Sequence, residues 1–184
     1  MEIREFRRED IPAVKAFTDR AIGDGYYSAG ELSDYFDRSF LNGQSCSLLL
    51  LGDDGHVKGL RLTCAPGQWH SGKGNGLSPE LWDVDQESIG YFQSLFIDPA
   101  LTGQGWGKRL SLKAMVILKQ MGAEAVLCHS WKESPNDSSG RYLRSLGFQM
   151  IATHPLYWKD VDYICTRCGQ PPCQCTAEEM IKYL

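Results

Sequence analysis

Leu95-Phe96-Ile97-Asp98-Pro99-Ala100-Leu101-Thr102-Gly103-Gln104-Gly105-Trp106-Gly107-Lys108-Arg109 is the stretch on which the fold turns. Its first three residues end an apolar run, 91–97, that suits a buried strand, and Asp98-Pro99 stops it. The glycines then lead into a helix with Leu110, Ala114, Ile117, Leu118 and Met121 at helical spacing, ended by Gly122. Glycines between a buried strand and a helix N-terminus let backbone N–H groups converge without side chains in the way, and the helix dipole adds roughly half a positive charge. The stretch therefore reads as an anion cradle suited to a pyrophosphate, with Lys108 and Arg109 behind it, or more plainly as a glycine turn followed by a basic pair. The glycine spacing is not that of a dinucleotide-binding turn, and there is no P-loop Lys-Ser/Thr.

Working outward, residues 2–7 alternate Ile3 and Phe6 with charges and predict a strand, and Asp10 with Pro12 opens a helix. Ser28-Ala-Gly-Glu31 is a capping box for a second helix running to about residue 41. Residues 45–51 and 57–64 flank Asp53-Asp54-Gly55 as a hairpin, and 66–90 is a long aperiodic loop. After the central helix come a strand at 123–129, a helix at 136–146, and strands at 148–154 and 161–165. The predicted order is βααβββαβαββ. It describes a single α/β domain with a mixed central sheet splayed between the fourth and fifth strands, plus a short C-terminal cysteine-rich segment and helix. The boundaries read as 1–164 for the main domain and 165–184 for the four-cysteine segment with its terminal helix.

At 184 residues the chain suits one domain, and its net charge of -4 argues against a phosphate backbone as partner. The cysteine-rich tail offers no electrostatic footprint for nucleic acid either, with Lys159, Arg167 and Lys182 against Asp160, Asp162, Glu178 and Glu179. No apolar run spans a bilayer and the N-terminus lacks a signal-peptide core, so a cytoplasmic protein is expected, with no membrane partner.

The segments Leu95-Phe-Ile-Asp-Pro99, Thr102-Gly-Gln-Gly-Trp-Gly107, Asn136-Asp-Ser-Ser139 and Leu146-Gly-Phe148 resemble, in order and spacing, the signature of the GNAT N-acetyltransferase superfamily over roughly residues 2–165. The resemblance implies acetyl-CoA as cosubstrate and an amine, small-molecule or peptide, as acceptor, attacked directly in a ternary complex. It implies that the amides of Thr102, Gly103, Gln104, Gly105, Trp106, Gly107 and Lys108 hold the CoA pyrophosphate, that Leu95, Phe96 and Ile97 pair with pantetheine, and that Asn136 touches the cofactor arm. Thr102 stands where the family carries Arg or Gln. Leu143 stands where many relatives carry the tyrosine that protonates the leaving thiolate, with Tyr142 one helical step away.

His129, at the end of the second splayed strand, is the best-placed base or else a satisfied core histidine; Glu87, Asp85 and Glu133 are alternatives acting through water. The catalytic candidates are thus His129, Glu87 and Tyr142. Cys128 falls on the opposite strand face from His129 and reads as a core cysteine. Tyr26, Tyr27, Trp82 and Asp85 are the candidate acceptor walls, with acids favouring a cationic amine. The alternative class is a non-catalytic acyl-CoA sensor or docking module on the same fold, and a homodimer stays open.

Cys165-x2-Cys168-x4-Cys173-x-Cys175 brings four thiols together with Gly169 and Pro171-Pro172 bending the chain between them. Four thiolates around tetrahedral Zn²⁺ need such a fold-back, and with no open position the metal would be structural. Four reduced free thiols, and an iron-sulfur centre or redox pair, are the other readings. Thr176-x-x-Glu179 reads as a capping box for the final helix.

Overall fold

The computed structural model describes residues 1–184 apart from Ile22 and Ser71. Strand β1 (Glu2–Glu5) leads through a 3-10 turn into helix α1 (Ile11–Ala21), which buries Val14 and Phe17. Helix α2 (Ala29–Ser39) starts at the predicted box: Glu31 N–H donates to Ser28 Oγ at 3.1 Å, and Ser28 N–H to Glu31 Oε2 at 2.8 Å. It stops two residues short of the expected Leu41. Asn42 and Gly43 both take positive φ, 52° and 83°, and turn a small hairpin of β2 (Phe40–Leu41) and β3 (Gln44–Ser45).

The main sheet follows with β4 (Leu48–Leu51), β5 (Val57–Cys64) and β6 (Ile89–Ile97), then α3 (Trp106–Gln120), β7 (Ala125–Trp131), α4 (Ser138–Ser145), β8 (Gln149–His154) and β9 (Ala177–Tyr183). Its spatial order is β1-β4-β5-β6-β7-β9-β8, and only β6 and β7 run parallel. Alternation along the strands divides the core. Leu60, Leu62, Tyr91 and Leu127 pack on the α1 and α2 side with Phe17 and Leu32, whereas Phe92, Val126 and Cys128 pack with Leu110, Ala114 and Leu118 of α3 and Leu143 of α4.

Two expectations for the C-terminal part are corrected. Residues 161–165 form an irregular, bent stretch, not a strand, and the sheet position they would need is filled by β9. The terminal segment is a strand, not a helix: β9 lies between β7 and β8 and is antiparallel to both. Hydrogen bonding on two sides outweighs a local capping preference, and the supposed cap residues serve elsewhere. Thr176 N–H donates to the Glu133 carboxylate at 3.0 Å, and Glu179 is buried at the centre of the fold. The segment 165–184 thus begins in a cysteine-bearing loop and ends inside the main sheet.

Strand β6 carries one irregularity that positions everything below. Leu62 pairs with Ser94 and Thr63 with Phe92, which leaves Gln93 as an extra residue. A bulge bends its strand and ends regular pairing. Phe92 is also the last residue of β6 in register with β7, opposite Cys128. Beyond it, β6 follows β5 to Ile97 while β7 follows β9 to Trp131, and the two strands diverge.

Candidate active site

The divergence leaves the β7-facing edge of residues 93–97 without a strand partner, so main-chain groups of Leu95, Phe96 and Ile97 face a cleft. At its mouth, Asp98 Oδ1 accepts from Ala100 N–H at 3.0 Å and fixes the turn into the glycine loop. Gly103 and Gly105 both have φ of 80°, and a Cβ built on either would meet nothing within 4 Å. These glycines are there for their left-handed backbone, and the space over them is open. Gly105 is the residue before the first turn of α3, so exposed Thr102 to Gly105 and the N–H groups of Trp106 to Lys108 surround one open concavity at a helix N-terminus. Asn136 is exposed with φ of 54° in the turn that starts α4, two residues later than the expected start.

On the other side of the cleft lies a cavity of about 840 Å³ walled by Tyr26, Phe96, Trp131, Trp158 and Tyr163, with Asp24 and Asp162 at its rim. Tyr26 meets Phe96 and Tyr163 edge-on at 6.3 and 6.0 Å. Lys73 pins this wall: its Nζ donates to the Tyr26 carbonyl at 2.7 Å and to Glu31 at 2.8 Å, and sits 4.5 Å from the Tyr27 ring.

Beneath the cavity is a buried polar network that the sequence reading found only in part. Tyr91 hydroxyl is 2.8 Å from His129 Nδ1, and Tyr157 stacks on the His129 ring at 4.4 Å. Burial, opposed by the Glu179 charge, lowers the His129 pKa to about 4, and burial pushes the Tyr91 phenol well up. Histidine is thus neutral and tyrosine protonated at neutral pH, and the imidazole tautomer sets which of the two donates. Glu179, fully buried, accepts from Trp82 Nε1 at 2.6 Å and lies 2.5 Å from His154 Nε2. The loop between β5 and β6 covers the network with glycines. A Cβ on Gly72 would fall 2.4 Å from Tyr91 Oη, on Gly74 2.2 Å from Tyr157, and on Gly76 2.5 Å from His154.

The predicted site residues therefore separate. Tyr26 lines the cavity, whereas Tyr27 is buried behind it with its hydroxyl 2.6 Å from Ser94 Oγ. Trp82 is a core residue bonded to Glu179 and not a wall, because the long loop folds inward and carries its indole into the core. Asp85 and Glu87 sit before Ile89, at the closed end of β6, with Glu87 in a 3-10 turn (Gln86–Ser88) and about 10 Å of strand from Ile89 to Phe92 beyond it. Glu133 is occupied with Thr176. Tyr142 hydroxyl lies 2.9 Å from the Gly107 carbonyl and 2.8 Å from Ser111 Oγ, which ties α4 to the first turns of α3. Cys128 is buried on the other face from His129, and burial pushes its thiol up to about 12.

The four cysteines converge between β8 and β9. Cys175 Sγ is 3.8 Å from Cys165 Sγ and 3.7 Å from Cys168 Sγ, and all four ligand atoms lie within 4.8 Å of one another. Zinc–sulfur bonds of about 2.3 Å in a tetrahedron put sulfurs about 3.8 Å apart, so these separations match a zinc thiolate cage. Trp131, Trp158 and Tyr163 pack on the cluster, and Cys165 itself lines the cavity. His129, His154 and Glu179 are a second close group. Contacts with Tyr91, with Trp82 and with one another engage His129 Nδ1, His154 Nε2 and both Glu179 oxygens in a hydrogen-bond network, while His129 Nε2 is buried with no hydrogen-bond partner among the described residues.

The Acetyltransferase (GNAT) family pattern matches residues 24–148. No curated protein matches the chain by sequence. Among solved structures, the chain is similar to the ribosomal-protein-S18-alanine N-acetyltransferase from Escherichia coli, at 16% identity and a TM-score of 0.68 over 99% of this chain and 92% of that one. It is similar to yncA from Salmonella typhimurium with its cofactor acetyl-CoA, at 19% identity and 0.68 over 100% and 94%. It is also similar to the GphF GNAT-like decarboxylase in complex with isobutyryl-CoA, at 14% identity and 0.71 over 100% and 99%.

Proposed function

The chain belongs to the GNAT acetyltransferase family, and from that premise we propose that it transfers an acyl group from acyl-CoA, acetyl-CoA being the simplest donor, to an amine held in the aromatic cavity. The observation that carries the reading is the juxtaposition of three features at one end of the sheet. They are the strand edge at 93–97 freed by the Gln93 bulge, the open left-handed glycine loop, and the cavity behind Phe96. Amides of residues 103–108 bind the pyrophosphate, the free edge of Leu95 to Ile97 aligns pantetheine, and a β6 amide polarises the thioester carbonyl. The amine nitrogen attacks that carbon, the C–S bond breaks, and the thiolate takes a proton.

The cavity suits a cationic amine, small-molecule or peptide. Five aromatic rings offer π faces, and Asp24 and Asp162 supply negative charge. For proton removal the pair to act is Tyr91 and His129, since His129 is unprotonated at neutral pH and its Nδ1 lies 2.8 Å from the Tyr91 hydroxyl. Glu87 is too far along β6 to share the role directly. Tyr142, whose phenol burial keeps protonated, sits against the first turns of α3 with its hydroxyl 2.9 Å from the Gly107 carbonyl and serves as acid. The four cysteines hold a structural zinc, supported by their tetrahedral sulfur separations.

Thiol release from acetyl-CoA across a panel of cationic and neutral amines tests this. Turnover with cationic amines is expected. Tight acetyl-CoA binding with no turnover on any amine would instead mark a sensor. Metal analysis of protein purified under reducing conditions should return one zinc per chain.

A further inference from the structure

Arg61 is a charge without a partner. On β5 its neighbours Leu60 and Leu62 face the α1 and α2 layer, so alternation turns Arg61 and Thr63 toward the α3 and α4 layer. Arg61 is 4% exposed and, among the described residues, no carboxylate pairs with it and no acceptor takes a hydrogen bond from its guanidinium. Its Nε is buried and unsatisfied, as is Thr63 Oγ1 on the same face. Its guanidinium carbon lies over the Phe92 ring, 3.6 Å from the centroid.

The placement gives this orphan meaning. Phe92 and Cys128 are the last residues joining β6 to β7 before the strands part. The guanidinium lies against Phe92, and Tyr142, Cys128 and Tyr91 are the ionisable groups that act on its charge, which puts it beside the point where the strands part, on the α3 and α4 side. A chain entering from the glycine loop and running along 97 to 93 ends there. We propose that the cleft takes, in preference to acetyl, acyl groups that end in a carboxylate, which Arg61 receives as a forked ion pair with Thr63 as a further donor.

Stacking on one aromatic ring recovers only part of the cost of dehydrating a guanidinium, and a buried charge is retained where the working state supplies its counter-ion. Desolvation lowers the Arg61 pKa to about 10, which still leaves it cationic at neutral pH. A neutral acetyl group offers it no anion. A planar carboxylate offers two oxygens matched to two N–H groups.

The inference rests on the acyl-CoA reading above, and calorimetry on the full chain separates the two. CoA, acetyl-CoA, malonyl-CoA and succinyl-CoA are titrated into wild type, Arg61→Met and Arg61→Lys. At least one dicarboxylic donor is expected to bind wild type about tenfold more tightly than acetyl-CoA. Arg61→Met should erase that preference while CoA and acetyl-CoA keep their affinities, and Arg61→Lys should retain part of it. Equal wild-type affinity for all three donors overturns the inference and leaves the acyl-CoA reading intact. No binding of any CoA species sinks the acyl-CoA reading itself. Uniform weakening of all four ligands by Arg61→Met assigns the arginine to the carrier, which also overturns the inference. The wild-type comparison decides even where the methionine variant does not fold.

Discussion

Glu179 Oε2 lies 2.5 Å from His154 Nε2 across the β8–β9 pair, while Oε1 of the same carboxylate takes the Trp82 indole N–H at 2.6 Å. One side chain with no exposed surface thus joins two strands to the long loop that covers the polar network. Removing one member of such a buried group strands the others. Glu179→Ala is expected to cost about 3 kcal/mol and lower Tm by about 10 °C. A thermal melt checks this, and a shift under about 2 °C would contradict it.

The same network sets an acid limit. His129 is held at about 4 by burial, against the usual 6.5. Its folded pKa lies below its unfolded one, so the unfolded state binds the extra proton. Stability is therefore full above pH 6.5 and falls as pH drops toward 4, by roughly 3 kcal/mol from this group. Desolvation raises the Glu179 carboxyl, but the hydrogen bonds from His154 and Trp82 outweigh it and hold it below its ordinary value, so its contribution is lost as pH falls from that value through the folded one. Denaturant titrations at pH 7, 6, 5 and 4 should show the decline, with the pH 7 to 5 portion flattened in His129→Phe.

Glycines 74 and 103 are needed for opposite reasons. A Cβ on Gly74 collides with Tyr157, so Gly74→Ala should cost about 2 kcal/mol through overpacking and disturb the loop over His129. Gly103 has free space and a φ of 80°, so Gly103→Ala should cost about 1 kcal/mol through backbone strain and weaken acetyl-CoA binding. Melting curves alongside acetyl-CoA titration separate the two. Loss of cofactor affinity in Gly74→Ala alone would reverse the assignment.

Much of this was legible beforehand. The strand 91–97, the glycine loop, the Ser28 box and the Asp54-Gly55 hairpin are local signals, set by capping, turn and periodicity chemistry within a dozen residues. What the sequence concealed is nonlocal. The final segment reads as a helix because Thr176 and Glu179 satisfy a cap pattern, yet its partners are strand residues 23 to 58 positions upstream. Trp82, Asp85 and Glu87 look like site residues because they sit in a long polar loop, and only the path of that loop shows that it buries the tryptophan and carries the acids to the closed end. Asn42-Gly43 was a readable turn signal, masked by the apolar pattern running through Leu41. Arg61 gave no signal, since one arginine in an apolar strand becomes informative only when its surroundings prove empty of acids.

Because Cys165 and the tryptophans packed on the cysteine cluster also line the acceptor cavity, metal loss should act on one substrate only. Cys175→Ser, or a strong chelator, is expected to raise the KM for the amine about tenfold or more while the acetyl-CoA Kd changes less than about twofold. Equal loss of both would place the metal in global stability instead.

Thr102, exposed at the rim of the glycine loop, stands where the family carries a cationic or amide side chain. Thr102→Arg should tighten CoA binding about fivefold at low salt, with the gain shrinking as ionic strength rises. An unchanged Kd would mean that the rim at this position does not meet the phosphates.

The unpaired residue at position 93 carries a further consequence. Deleting Gln93 would let the sheet zip shut past Phe92, gaining cross-strand bonds and erasing the gap into which a thioester must slide. The shortened protein would be sturdier and inert, which makes this single surplus amino acid the point at which the architecture gives up cohesion in return for chemistry.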